Sequence, residues 1–201
     1  HHLNLYPFDA VVSFIFRWRP RDKARKETDV LEIGCGAGNN LWFAAREGFQ
    51  VAGIDGSPTA ISFARERFAS ETLVGDLRVG NFFELPWENE TADLGIDRCS
   101  TACVGVQGQK VAIEEMRRVL RPGGIFFFNG YSDEHTSAQS GEPLHDGRIA
   151  NIHAGTLVGV GALVFNSRSQ IDMLFANGWE IMKIEHLSLR DFSSHGTGIH
   201  A

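Results

Sequence analysis

Apolar residues along the chain follow two patterns. Short apolar-rich runs at Val30–Ile33, Gln50–Ile54, Leu77–Gly80, Ala92–Asp97 and Ile125–Tyr131 predict strands, the last an almost continuous apolar run suited to a central position covered on both faces. Between them the apolar positions recur at helical spacing, which predicts helices over about Asp9–Trp18, Asn39–Glu47, Ser57–Ala69 and Gln109–Leu120. Val11, Val12, Phe14, Ile15 and Trp18 form the apolar side of the first helix, and Pro20 ends it. Ser57-Pro58 supplies an N-cap and a proline for the first turn of the third, and Gly48 caps the second. Strands alternating with helices at this spacing imply an α/β fold, a doubly wound and mostly parallel sheet with helices on both faces. In such a sheet the ligand crevice lies beyond the carboxyl ends of the strands, where strand order reverses.

The pattern breaks in two places. From Ser132 to about Thr156 the periodicity disappears and Ser, Gly, Asp and His dominate, which predicts a long loop leaving the fifth strand, a candidate lid that selects the substrate. Beyond it Ser167 caps a helix to Asn177, Gly178 follows, and Glu180–Leu189 alternates as a strand. The most informative stretch is Val30-Leu31-Glu32-Ile33-Gly34-Cys35-Gly36-Ala37-Gly38-Asn39-Asn40, a strand turning on three alternate glycines into a helix. Glycine at these positions permits a tight turn and removes the Cβ atoms that would hold a ligand off the backbone. The helix then aims its free amides and positive dipole end at whatever sits there. Asp55 closes the next strand, where a carboxylate accepts hydrogen bonds from ribose hydroxyls.

A dinucleotide fingerprint has the spacing G-x-G-x-x-G, whereas here Glu32 is followed by Gly34, Gly36 and Gly38. This arrangement resembles the first motif of class I S-adenosylmethionine-dependent methyltransferases of the small-molecule type. Gly53-Ile54-Asp55-Gly56-Ser57 resembles their second motif, Gly80-Asn81-Phe82 their adenine-contacting turn, and Leu120-Arg121-Pro122-Gly123-Gly124 the turn before their fifth strand. The resemblance runs over roughly residues 28–190. It implies a cofactor, S-adenosylmethionine, released as S-adenosylhomocysteine, and a binding set of Glu32, Gly34, Cys35, Gly36, Gly38, Asp55, Gly56, Asn81, Phe82 and Asp97. Glu32 would hold the methionine amino group, and Asn81 would accept from the adenine amine through its amide oxygen. Such proteins end on one more antiparallel strand. The stretch after Phe192 is too short and too rich in glycine and serine to supply it, so that strand is expected to be missing or to lie beyond the sequence.

Composition narrows the class. At 201 residues, 43% hydrophobic and 22% charged, the chain is expected to be one domain. Its parts are an N-terminal helix and basic connection (1–27), a cofactor-binding core (28–131), the lid (132–156) and a C-terminal part (157–201). No apolar run approaches the ~20 residues of a membrane span, so no membrane association is expected. A net charge of −6 disfavours nucleic acid as a partner. Cys35, Cys99 and Cys103 form neither a disulfide frame nor a metal-ligand pattern, which predicts reduced thiols, a cytoplasmic setting and no metal.

At the end of the fourth strand, Asp97-Arg98-Cys99-Ser100 lacks the paired prolines of methyltransferases acting on base amines. Asp97 could orient the methionine amino group or the acceptor, and Arg98 could take an acceptor carboxylate. Tyr6 and Phe8 could line the acceptor pocket. Among the lid groups Tyr131, Asp133, His135, His145 and His153, His135 is the candidate general base because it lies nearest a strand end. The expected function is methyl transfer from S-adenosylmethionine to a small molecule. The alternatives are a non-catalytic cofactor-binding or interaction protein and an NAD-linked oxidoreductase.

Overall fold

The computed structural model describes residues 4–190 and 199–200. The chain divides into two compact units, with one of the three crossings between them inside a helix. The first comprises the residues up to Ser100 and Glu114–Asn129; the second comprises Thr101–Ile113 and the residues from Gly130 onward. The sequence reading treats the whole as one domain.

The first unit holds helix α1 (Asp9–Trp18), strand β1 (Asp29–Ile33), helix α2 (Asn39–Arg46), strand β2 (Gln50–Asp55), helix α3 (Pro58–Ser70), and strands β3 (Asp76–Val79), β4 (Ala92–Arg98) and β5 (Leu120–Asn129). It also takes the second half of helix α4 (Val106–Val119). The strands form one parallel sheet in the order β3-β2-β1-β4-β5. Order reverses between β1 and β4, which sets the ligand crevice at the carboxyl ends of those two strands. Val11, Phe14 and Ile15 of α1, Leu41 and Trp42 of α2, and Ile61, Ala64 and Phe68 of α3 pack with Val30, Val51, Leu77, Leu94 and Ile96 of the sheet. The sets on α1 and α3 recur at helical spacing, so the apolar pattern dictates which face of those helices is buried.

The basic connection after α1 serves as an anchor. Lys23 Nζ lies 2.6 Å from the buried Asp93 carboxylate, and Arg25 pairs with Glu47 at 2.8 Å. At the other side of the sheet, β5 does not occupy a central position. It forms the edge of the five-stranded sheet, and Ile125–Asn129 are half-buried. Its apolar run follows the sequence expectation, but only β4 pairs with it in this sheet.

The second unit corrects two expectations. Residues 132–156 are not a structureless loop. They contain most of a small sheet and a 3₁₀ turn at Thr136–Gln139. That sheet is built from β6 (Tyr131–Ser132), β7 (Glu142–Pro143), β8 (Arg148–Ala150) and β9 (Leu163–Asn166), in the order β6-β9-β8-β7. Ile152, Leu157, Leu163 and Phe165 form its core, with Tyr131, Ala138 and Ile149 packed on them. Helix α5 (Arg168–Leu174) opens on the expected Ser167 cap, reinforced by the Gln170 side chain, and ends before Asn177. The predicted strand over Glu180–Leu189 does not form: residues 180–188 are irregular, and only β10 (Leu189–Arg190) pairs, antiparallel, with β11 (Ile199–His200). Ile181, Met182, Ile184, Leu187 and Leu189 are all exposed, so the alternation there has no buried face to serve. Residues 191–198 and Ala201 lie outside the described set, and with them most of the terminal stretch expected to lack a final strand. Among the described residues no helix is long and apolar enough to cross a membrane.

Candidate functional site

The crevice is built from the carboxyl ends of β1, β2 and β4. The turn after β1 takes the three glycines through left-handed backbone, with φ of 62° at Gly34, 53° at Gly36 and 71° at Gly38. Only glycine adopts such angles without penalty. Each position also faces something different. A Cβ on Gly38 would press on Ala64 of α3, and one on Gly34 would overlap Ser100, whereas Gly36 faces open space with nothing within 4 Å. Gly36 is therefore where a ligand can approach the backbone closely.

Asp55 holds that turn. Its carboxylate accepts the Gly36 N–H at 2.9 Å through one oxygen and the Ser57 N–H at 2.8 Å through the other. A carboxylate has about four acceptor positions, so two remain for hydroxyl donors. Gly80 N–H donates to the Asp55 carbonyl at 3.0 Å, which brings the loop after β3 to the same edge.

Glu32 sits behind the glycines, 2% exposed. Its Oε1 accepts from Asn40 Nδ2 at 2.7 Å, while Oε2 is buried with no hydrogen-bond partner. Burial pushes its carboxyl up to about 8; the Asn40 hydrogen bond opposes the rise, Asp97 adds to it, Arg98 opposes it and Asp55 adds to it. Asn40 was not singled out from the sequence, yet it is the centre of a small network. Its Oδ1 accepts the Phe8 N–H at 3.0 Å, and its neighbour Asn39 donates to the Tyr6 carbonyl at 2.7 Å. The usable signal was the amide pair in the first turn of a helix that follows an acid and three glycines.

Asp97, fully buried, accepts the Ser100 backbone N–H at 2.8 Å, and the single Ser100 hydroxyl proton is shared between the Asp97 carboxylate and the Ile33 carbonyl, which lies 3.0 Å from Oγ. Register places Asp97 opposite Ile33, beside the start of the glycine turn. Glu32, Gly34, Gly36, Gly38, Asp55 and Asp97 are thus brought together at the carboxyl edge of β1, β2 and β4.

The remaining predicted residues divide. Cys35 is buried, donates its N–H to the Ile54 carbonyl at 3.1 Å, and lies where a Cβ on Gly53 would meet its sulfur; burial raises its thiol far above the usual range. It packs the turn with its side chain. Gly56 follows Asp55 with Gly80 close by, consistent with the shared edge. Asn81 is exposed and spends its Oδ1 on the Phe83 N–H at 3.0 Å, closing its own turn, with Phe82 and Phe83 edge to face beside it. That oxygen retains one acceptor position. His135 belongs to the second unit and is 2% exposed; Nδ1 accepts the Ser137 N–H at 3.0 Å and Nε2 lies 3.3 Å from Thr156 Oγ1. Those contacts make it the cap of the 3₁₀ turn. Tyr6 is 73% exposed, while Phe8 packs on the core of the first unit.

The model of the methyltransferase domain matches residues 30–124, the span from β1 to the turn within β5. A rat protein named thiol S-methyltransferase TMT1B is 30% identical over 118 residues, 57% of this chain and 47% of that protein. A tRNA N(3)-methylcytidine methyltransferase, trm140 of Schizosaccharomyces pombe, is 31% identical over 115 residues, 52% of this chain and 37% of that protein. A solved protein from Methanosarcina mazei, described as among the SAM-dependent methyltransferases, superposes with a TM-score of 0.67 at 20% identity, covering 87% of this chain and 84% of that one, a likeness of fold. The chain spans about half the length of the curated relatives it matches.

Proposed function

We propose, from the match of residues 30–124 to the methyltransferase domain, that the chain is a class I S-adenosylmethionine-dependent methyltransferase that binds S-adenosylmethionine in the β1–β2–β4 crevice and passes the methyl group to a small molecule. The observation that carries this reading is Glu32 Oε2, a buried carboxylate oxygen without a partner behind a turn whose middle glycine faces open space. A buried acceptor left unpaired costs roughly 1–3 kcal/mol, and a ligand ammonium is the donor that removes the cost. Asp55 offers its spare acceptor positions to ribose hydroxyls, and the loop at Asn81 and Phe82 lies at the adenine end. Against the dinucleotide alternative stands the spacing of Gly34, Gly36 and Gly38, which departs from G-x-G-x-x-G.

The donor's sulfonium supplies an already activated methyl group. The protein's task is to hold donor and acceptor in line, which is worth up to roughly 7–11 kcal/mol in favourable cases. Such a reaction proceeds without a dedicated proton acceptor unless the acceptor atom carries a proton it must lose. A small acceptor is favoured by the net charge of −6, which offers no general attraction to a polyanion. The tRNA-directed relative makes RNA the control substrate.

Titration calorimetry is expected to show S-adenosylmethionine and S-adenosylhomocysteine binding in preference to NAD. Asp55→Ala should weaken both by about tenfold or more, because it removes the ribose acceptor and the group that shapes the turn at Gly36. NAD binding with no response to either sulfur compound would overturn the assignment. Incubation with methyl-labelled donor and a fractionated metabolite extract should label a small molecule and leave added tRNA unlabelled. Donor binding without label transfer to any fraction would favour a cofactor-binding protein that is not an enzyme.

A further inference from the structure

Arg98 is the last residue of β4, beside β1 at the point where the strand order reverses, one position past the buried Asp97. Its half-buried guanidinium rests over the Phe8 ring, with Cζ 4.0 Å from the centroid. Among the described residues it makes no ion pair and no hydrogen bond. Arg25, Arg78, Arg118, Arg121 and Arg148, by contrast, each hold a carboxylate at 2.7 to 2.9 Å, and Arg67, which also lies over an aromatic ring without an ion pair among the described residues, is on α3 away from the carboxyl ends of β1 and β4.

The seat of Arg98 is fixed. Phe8 donates its N–H to Asn40 Oδ1, and Asn40 in turn donates to Glu32. The ring that supports the guanidinium is therefore tied to the same amide that positions the Glu32 carboxyl. A contact with an aromatic face satisfies the charge of an arginine in part and consumes none of its five N–H donors. Those donors form a planar fork that matches a carboxylate in two parallel hydrogen bonds. The charged neighbours at this edge are Glu32, Asp55 and Asp97, and none pairs with Arg98: Glu32 gives one oxygen to Asn40, feels the Arg98 charge without contact and keeps its other oxygen for the donor, Asp55 holds the Gly36 and Ser57 amides, and Asp97 has Ser100. What the crevice lacks is an anion for Arg98.

We propose that Arg98 anchors the methyl acceptor through an acceptor carboxylate, so that the substrates are small organic acids. This rests on the donor reading above and gives it a substrate class. Phe8 holds the guanidinium in place before the acid arrives, which reduces the ordering left to binding. The acid end is then fixed beside the carboxyl edge of β4, and the nucleophile at its other end is free to vary.

The test uses the full chain and pairs of probes differing only in charge: benzoate and benzamide, 4-hydroxybenzoate and 4-hydroxybenzamide, 3-mercaptopropionate and 3-mercaptopropionamide. Binding is measured with and without S-adenosylhomocysteine for the wild type, Arg98→Gln and Arg98→Lys. The expected result is that at least one acid binds about tenfold more tightly than its amide, that Arg98→Gln removes this preference, and that Arg98→Lys retains part of it. S-adenosylhomocysteine affinity should fall by clearly less than acid binding in Arg98→Gln, because Arg98 acts on Glu32 only through its charge. Equal binding of acid and amide in every pair, or a preference that survives Arg98→Gln, overturns the proposal. It is also overturned if Arg98→Gln lowers S-adenosylhomocysteine affinity as much as it lowers acid binding, since Arg98 would then serve Glu32 on the donor side. Failure of the donor reading looks different: wild type would not bind S-adenosylhomocysteine, while an acid preference dependent on Arg98 would still mark an anion site.

Discussion

Glu32→Gln is expected to weaken S-adenosylhomocysteine binding by roughly 10–100-fold while raising the stability of the empty protein. The two effects have one cause. Burial drives the Glu32 carboxyl up to about 8 from 4.5, with the Asn40 hydrogen bond opposing it and the Asp97 charge adding to it. A carboxyl whose folded-state value is raised contributes stability that is fully present below the unfolded value and lost as pH climbs through the folded one. Wild type should therefore lose stability steadily between about pH 4.5 and pH 8, by about 3 kcal/mol at pH 7 if nothing else changes. Glutamine cannot ionise and removes that slope, so at pH 7–8 the variant should melt several degrees above wild type, and near pH 4 the gap should close. Thermal melts across that range check the sign. Equal pH slopes in the two proteins would mean that Glu32 is ionised in the fold and has found a partner.

The same residue makes donor binding pH-dependent. Pairing with a ligand ammonium requires ionised Glu32, so in wild type a proton is released on binding below about pH 8. Affinity should then rise with pH from 6 to 7.5, by up to roughly tenfold per unit, until the ligand's own amine begins to lose its charge near ~8. Calorimetry in buffers of different ionisation enthalpy reads the released proton directly. The Gln variant should release none. The crevice thus carries a destabilising group whose cost is relieved by the donor, a common trade between stability and function.

The part of this crevice legible in the sequence is the part made by local backbone. Gly34, Gly36 and Gly38 need left-handed angles, a strand precedes them and a helix follows, and Asp55 ends the next strand, so spacing alone places them at one edge. The boundaries of α1, α2, β2 and α3 follow for the same reason, since each has a buried apolar face at its own period and a proline, glycine or serine at its end. What escaped are links between segments distant in sequence. Asn40 joins Glu32 to Phe8, and Ser100 joins Asp97 to Ile33; neither residue type at that spacing signals its partner. Residues 132–156 read as a loop because strands of two or three residues are too short to show alternation and their core draws on Leu157, Leu163 and Phe165 further along. His135, chosen for its chemistry and its place after a strand, turned out to be buried as a cap. Burial and hydrogen bonding decide a histidine's role, and sequence position carries neither.

Gly34→Ala should be the most damaging single methyl group that can be added to the crevice. At φ 62° an alanine costs roughly 1–2 kcal/mol in backbone conformation alone. Its Cβ would also overlap the Ser100 side chain, falling 2.7 Å from Oγ. Ser100 cannot move without giving up its hydrogen bonds to Asp97 and the Ile33 carbonyl, so the overlap adds a further ~1–3 kcal/mol. Against a typical total of ~5–15 kcal/mol this leaves a marginal protein whose crevice is displaced at β4. Gly36→Ala separates the two contributions. Its angle is as demanding, but nothing lies within 4 Å, so it should fold with only the backbone cost and still lose donor affinity, because its Cβ fills the space the ligand needs. If the steric account of Gly34 is right, Ser100→Gly should restore part of the stability lost in Gly34→Ala, a coupling of about 1–2 kcal/mol in a double-mutant cycle. Ser100→Ala, which keeps the offending Cβ, should restore much less. Denaturant melts of the four proteins decide it: strict additivity would place the whole cost of Gly34→Ala in the backbone and leave the contact between the glycine turn and β4 without energetic consequence.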